Sequence, residues 1–77
     1  HIQSPLFIAH EILRELVRIA RIQRVAAYSI STDQSVIDAL QGGLQYELEN
    51  IKNKFDCELT LSARTQHLQS NYDIVLA

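Results

Sequence analysis

Val25-Ala26-Ala27-Tyr28-Ser29-Ile30-Ser31 is the stretch on which the fold turns. β-branched and aromatic residues between polar boundaries favour extended chain, so this segment reads as a strand. Its small alanines would let a helix pack closely against it. Downstream, Cys57-Glu58-Leu59-Thr60-Leu61-Ser62-Ala63 alternates apolar and polar with period two and reads as a second, half-buried strand. Arg64 to Asn71 is a polar connection of about eight residues, and Tyr72 to Leu76 reads as a last strand, apolar on both faces at Ile74-Val75-Leu76.

Helical sequence surrounds the first strand. Upstream, Ser4-Pro5 combines an N-cap serine with a proline at the first helical position, and an amphipathic pattern runs from there to about Ile22. Downstream, Ser31-Thr32-Asp33 supplies capping chemistry, from Thr32 or Asp33, for a short helix carrying Val36, Ile37 and Leu40. Gln41-Gly42-Gly43 reads as a helix–helix turn in which glycine permits positive φ. Leu44, Leu48, Ile51 and Phe55 then fall within one arc of a third helix, and Lys52 and Lys54 in its last turn suit the helix dipole.

The order α-β-α-α-β-β places the chain in the α+β class: a two-layer sandwich with helices packed on a three-stranded mixed sheet. The helices between the first two strands predict a parallel crossover. The short last connection predicts that the second and third strands are antiparallel neighbours. Such a sheet has two edges in a small space, and edges invite pairing with another chain.

At 77 residues the chain is one small domain; His1 to Gln3 read as a leader. A domain of this size buries roughly 60% of its unfolded surface. Without a staple its core supplies on the order of 3–5 kcal/mol. The lone Cys57 excludes a disulfide framework and fits a reducing, cytoplasmic compartment. No apolar run approaches the roughly 18 residues of a membrane span, and the N-terminus lacks the charged and apolar regions of a signal peptide. A small, unstapled core suggests a domain that leans on a second copy of itself or on the rest of a larger protein.

Few residues carry the chemistry of catalysis. The three histidines, His1, His10 and His67, are widely spaced, and one cysteine completes no zinc signature. A Cys57–His67 nucleophile pair is conceivable, but a cysteine opening an apolar strand is read better as a small buried hydrophobe. Glu47 and Glu49 point to different sides of a helix, and the Gly42-Gly43 pair matches neither a phosphate loop nor an RNA-clamping Gly-x-x-Gly loop.

What remains is charge. The net formal charge is −2, which argues against a dedicated nucleic-acid binder. The distribution is uneven. Arg14, Arg18, Arg21 and Arg24 follow one another at spacings of four, three and three along the first helical region. Such spacings keep side chains on one side of a helix. Opposite them lie Ile8, Ala9, Ile12, Leu13, Leu16, Ile19 and Ala20, while Glu11 and Glu15 stand within pairing distance of Arg14 and Arg18. The arginine ridge is a candidate surface for RNA phosphates or for an acidic partner, with an ordinary solvated face as the alternative.

Three stretches resemble the C-terminal small domain of the ribonuclease E/G family of endoribonucleases, and most nearly its ribonuclease G branch. Ile2-Gln3-Ser4-Pro5 leading into His10-Glu11-Ile12-Leu13-Arg14-Glu15-Leu16-Val17-Arg18 is similar to the helix that follows the family's zinc link. Ser31 to Gly42, with Val36, Ala39 and Leu40, is similar to its next helical stretch, and Asn71-Tyr72-Asp73-Ile74-Val75-Leu76 to its closing strand. The resemblance implies that the chain is the C-terminal part of a larger enzyme that cleaves single-stranded RNA with magnesium in RNA processing and decay. The family's metal-binding aspartates and zinc-link cysteines lie upstream, so the fragment itself would hold neither magnesium nor zinc and no catalytic residue. The function it implies is oligomer assembly and structural support. An RNA-binding accessory role through the arginine ridge is the alternative.

Overall fold

The computed structural model describes residues 4–65 and 70–76. The reading of His1 to Gln3 as a leader, and that of His67 as a partner for Cys57, fall outside them. The elements are α1 (Pro5–Ile22), β1 (Ala27–Thr32), α2 (Gln34–Gln41), α3 (Gln45–Phe55), β2 (Glu58–Ala63) and β3 (Tyr72–Leu76). The α+β sandwich is therefore observed in the expected order, with three helices on one face of a three-stranded mixed sheet.

Helix α1 starts as its sequence dictates. Ser4 is extended, its Oγ accepts a hydrogen bond from the Phe7 amide at 3.1 Å, and Pro5 occupies the first turn. At the other end the Gln23 amide closes the helix onto the Ile19 carbonyl at 2.7 Å. The Gln23 carbonyl in turn accepts from the Tyr28 hydroxyl at 3.0 Å, which ties the end of α1 to β1. Ile8, Ala9, Ile12, Leu13, Leu16 and Ala20 are buried, so the apolar stripe meets the core as its spacing required.

β1 begins two residues later than the sequence suggested, and its alternation decides its packing. Tyr28, Ile30 and Thr32 are buried under the helices, whereas Ala27, Ser29 and Ser31 are half-buried on the opposite face. The alanines therefore do not meet the helices: Ala26 precedes the strand and Ala27 lies on the face away from them. The helix-side rows of the flanking strands are Leu59 and Leu61 from β2, and Tyr72, Ile74 and Leu76 from β3, all packed against the core.

The strand order is β2-β1-β3. β1 pairs in parallel with β2, Ala27 opposite Glu58 through Thr32 opposite Ala63, as the helical crossover required. It pairs antiparallel with β3, from Tyr28 opposite Leu76 to Thr32 opposite Tyr72. β2 and β3 are thus not neighbours, contrary to the expectation from their short connection. The physical reason lies at Thr32. Its carbonyl accepts from the Arg64 amide at 3.0 Å, its hydroxyl donates to the Asn71 carbonyl at 2.9 Å, and the residue is fully buried. Both ends of the connection are thereby tied to the end of β1. Two strand spacings are only about 10 Å, well within the reach of about eight residues.

The α2–α3 turn also differs from expectation. Neither glycine has positive φ. Gly42 lies at φ −94, and a Cβ there would stand 2.9 Å from the Asp38 carbonyl oxygen, which its own amide caps at 2.9 Å. Close approach, not handedness, requires the glycine. The left-handed position is Asp56, at φ 51 and ψ 56, which ends α3. Leu44, Leu48, Ile51 and Phe55 are all buried, so the core face of α3 is the one its spacing marked.

Candidate functional site

The four arginines of the ridge do not share one environment. Arg24 lies beyond the end of α1, in the connection to β1, so it is not part of the helical face. Its Nη2 donates to the Lys54 carbonyl at 3.2 Å and its guanidinium stands 5.6 Å from the centre of the Phe55 ring. Arg18 is engaged with Glu15: its Nε lies 3.2 Å from one carboxylate oxygen and its Nη2 binds the other. That hydrogen bond holds the Glu15 carboxyl below its ordinary range and raises Arg18. Arg14 and Arg21 are exposed and have no acidic partner among the described residues. Glu11 therefore does not pair with Arg14.

At 100° per residue, Arg14 and Arg21 share the side of α1 that carries His10, Leu13 and Val17, while Arg18 is rotated toward Glu11 and Glu15. The second side faces β3, where the same two glutamates, after burial itself, raise the pKa of the Tyr72 phenol. The first side faces α3. Between them α1 and α3 frame an open groove of about 500 Å³. Its floor is Leu13 and Val17 from α1 with Ile51 and Phe55 from α3. His10 and Arg14 form one rim; Glu47, Asn50 and Lys54 form the other. Lys54 Nζ, like Arg24, stands 5.6 Å from the centre of the Phe55 ring; Lys54 lines that end of the groove, and Arg24 lies beside it against Phe55. The alternation of the ridge gave Arg14. The contributions of Phe55, Lys54 and Arg24 depend on the approach of α3 to the end of α1, which no local spacing encodes.

Arg64, assigned by sequence to a polar connection, is half-buried, with its side chain turned inward. Its side chain is 10% exposed, its Nε donates to Asp33 Oδ1 at 3.2 Å, and its Nη1 is buried without a hydrogen bond. Asp33 occupies the N-cap position of α2 but makes no side-chain cap, because its carboxylate serves Arg64. The pair joins the start of α2 to the end of β2.

Among the described residues no three His, Cys, Asp or Glu side chains converge. Cys57 is buried, and burial pushes its thiol up, followed by the charges of Glu58 and Asp56. A thiol held protonated is a poor zinc ligand and a poor nucleophile. No helix is long and apolar enough to cross a membrane, again among the described residues. The sheet face opposite the helices carries Ala27, Ser29 and Ser31 with Thr60 and Ser62 beside them. The outer edge of β3 ends the sheet on that side, with Val75 59% exposed. Comparison with protein-family models, with curated proteins and with solved structures finds no match to this chain.

Proposed function

We propose that this chain is a non-catalytic module for oligomer assembly and structural support, of the kind found at the C-terminus of ribonuclease E/G-type endoribonucleases. The observation that supports the reading is the free edge at β3. Tyr72–Leu76 closes a sheet whose other edge is β2, and its outer row of backbone groups has no strand beside it among the described residues. Natural edge strands are commonly guarded by lysine, proline or a bulge. β3 carries only Asp73 as a charge, beside the exposed Val75. A second copy adding its own β3 in antiparallel register would extend the sheet across a two-fold axis. In such a parent protein the RNA-cleaving aspartates, the magnesium and the zinc would reside outside this chain, in the cytoplasm.

Sedimentation of the purified chain tests the reading. A monomer–dimer equilibrium abolished by Val75→Lys is expected; a strict monomer at high concentration overturns self-association. The same preparation with magnesium and single-stranded RNA is expected to show no cleavage, and cleavage by the pure chain overturns the non-catalytic assignment.

A second reading, an RNA-binding accessory module, is favoured by the two arginines without acidic partners, Arg14 and Arg21. Phosphate contacts predict affinity that falls steeply with salt, with a slope reduced by roughly 0.7 for each arginine removed on a single strand. No binding at low salt eliminates it.

A further inference from the structure

We propose that the groove between α1 and α3 docks an acidic amphipathic helix from a partner protein. The guest's apolar residues would lie on Leu13, Val17, Ile51 and Phe55, and its carboxylates against Arg14, Lys54 and Arg24. The dimensions fit. His10 to Val17 on α1 and Glu47 to Phe55 on α3 each extend about two helical turns, or roughly 11–12 Å. That length accepts two or three anchors at the i, i+3/i+4, i+7 spacing by which amphipathic helices enter grooves. The volume of about 500 Å³ holds a few aliphatic side chains and no more.

Charge selects the occupant. Arg14 is exposed and without an acidic partner, Arg21 follows it on the same side, and Lys54 and Arg24 flank Phe55 at one end. Among the described residues Glu47 is the one carboxylate on the rim, and it lies two turns away from that cluster. A guest with acidic residues along its flanks therefore meets complementary charge over most of its length, while a cationic guest meets repulsion. RNA is a poorer match to the same groove. Phe55 is 8% exposed with two cations at its ring, too little face for a planar base to stack on, and the floor offers apolar carbon where a backbone needs donors. A second copy is also a poorer match. Among the exposed large apolar side chains of the described residues, Leu6 and Phe7 open a helix with no acid in its first turn, Ile22 follows Arg21, and Tyr46 and Val75 each stand singly on their elements. None presents an apolar row between carboxylates.

The experiment uses the whole chain, isotopically labelled, and two synthetic helical peptides. Both carry leucine at the anchor spacing; one has glutamate and the other lysine at its flanking positions. The glutamate peptide is expected to shift amide resonances around Arg14, Val17, Lys54 and Phe55, and to bind at least tenfold more tightly than the lysine peptide. The double reversal Arg14→Glu/Lys54→Glu, at two surface positions, is expected to invert that preference while leaving the remaining spectrum in place. Val17→Asp is expected to abolish binding of both. Equal affinity for the two peptides overturns the proposal, as do shifts on the open sheet face or at β3, or no binding by either peptide. Displacement of the glutamate peptide by a single-stranded RNA oligonucleotide at lower concentration assigns the groove to RNA and overturns it. So does a dimer in sedimentation that Val17→Asp dissociates.

Discussion

Two buried hydroxyls illustrate how single atoms fix the route of the backbone. Tyr28 is 1% exposed and its hydroxyl donates to the Gln23 carbonyl, while Thr32 donates to the Asn71 carbonyl. Tyr28→Phe removes the first bond without changing the ring, and an expected loss of about 1 kcal/mol should appear as a lower urea midpoint at unchanged slope. Cys57 and Tyr72 carry a prediction about pH. Both pKa values are raised in the folded chain, chiefly by burial. The unfolded chain therefore releases these protons first, and stability, full below the ordinary thiol pKa of about 8.5, falls as pH climbs from there toward the folded values. Denaturant midpoints followed upward from neutral pH should hold and then decline. With Cys57→Ala the decline should begin later, near the ordinary phenol pKa of about 10. A midpoint that rises with alkalinity contradicts the assignment.

At the scale of elements, the helix boundaries yield contrasting substitutions. Ser4→Ala removes the only side-chain cap seen on α1 among the described residues and should cost about 1 kcal/mol. Gly42 and Gly43 are adjacent in sequence but opposite in consequence. Gly42→Ala forces a Cβ to within 2.9 Å of a backbone oxygen and should destabilise by about 1 kcal/mol or more, since that oxygen belongs to the helix it ends. Gly43→Ala meets nothing within 4 Å, has no positive φ to oppose, and should be neutral or stabilise by about 0.4–1 kcal/mol through the unfolded chain. Thermal melts of the two variants side by side measure the contrast. If both lose stability equally, the close-approach explanation is wrong.

For the molecule as a whole, size is the governing fact. Seventy-seven residues bury one modest core, assembled from one face of each helix and the inner face of one sheet. A partner that binds only the folded form adds stability by mass action. If β3 mediates self-association, the melting temperature of the chain should rise with its own concentration, and Val75→Lys should make it concentration-independent. Calorimetry over a hundredfold range of concentration checks both. The absence of any concentration dependence in the unsubstituted chain leaves assembly through this edge without support.

The elements were legible in sequence because the forces that make them are local. Ser4-Pro5 set the start of α1, the 3.6-residue period of Leu44, Leu48, Ile51 and Phe55 marked the buried side of α3, and the two-residue alternation after Cys57 marked β2. The α+β class followed from their order. Strand adjacency did not, because which strand takes the centre depends on contacts between residues far apart in the chain, here Arg64 and Asn71 with Thr32. Nor did the division of the arginine ridge. A repeat of three and four places Arg14, Arg18, Arg21 and Arg24 on one side, and the i,i+3 spacing already offered Glu15 to Arg18, but only the tertiary structure sends Arg24 to Phe55 and Lys54 and leaves Arg14 over a groove. Periodicity states which side of a helix is charged; what that charge faces is decided by the helix packed beside it.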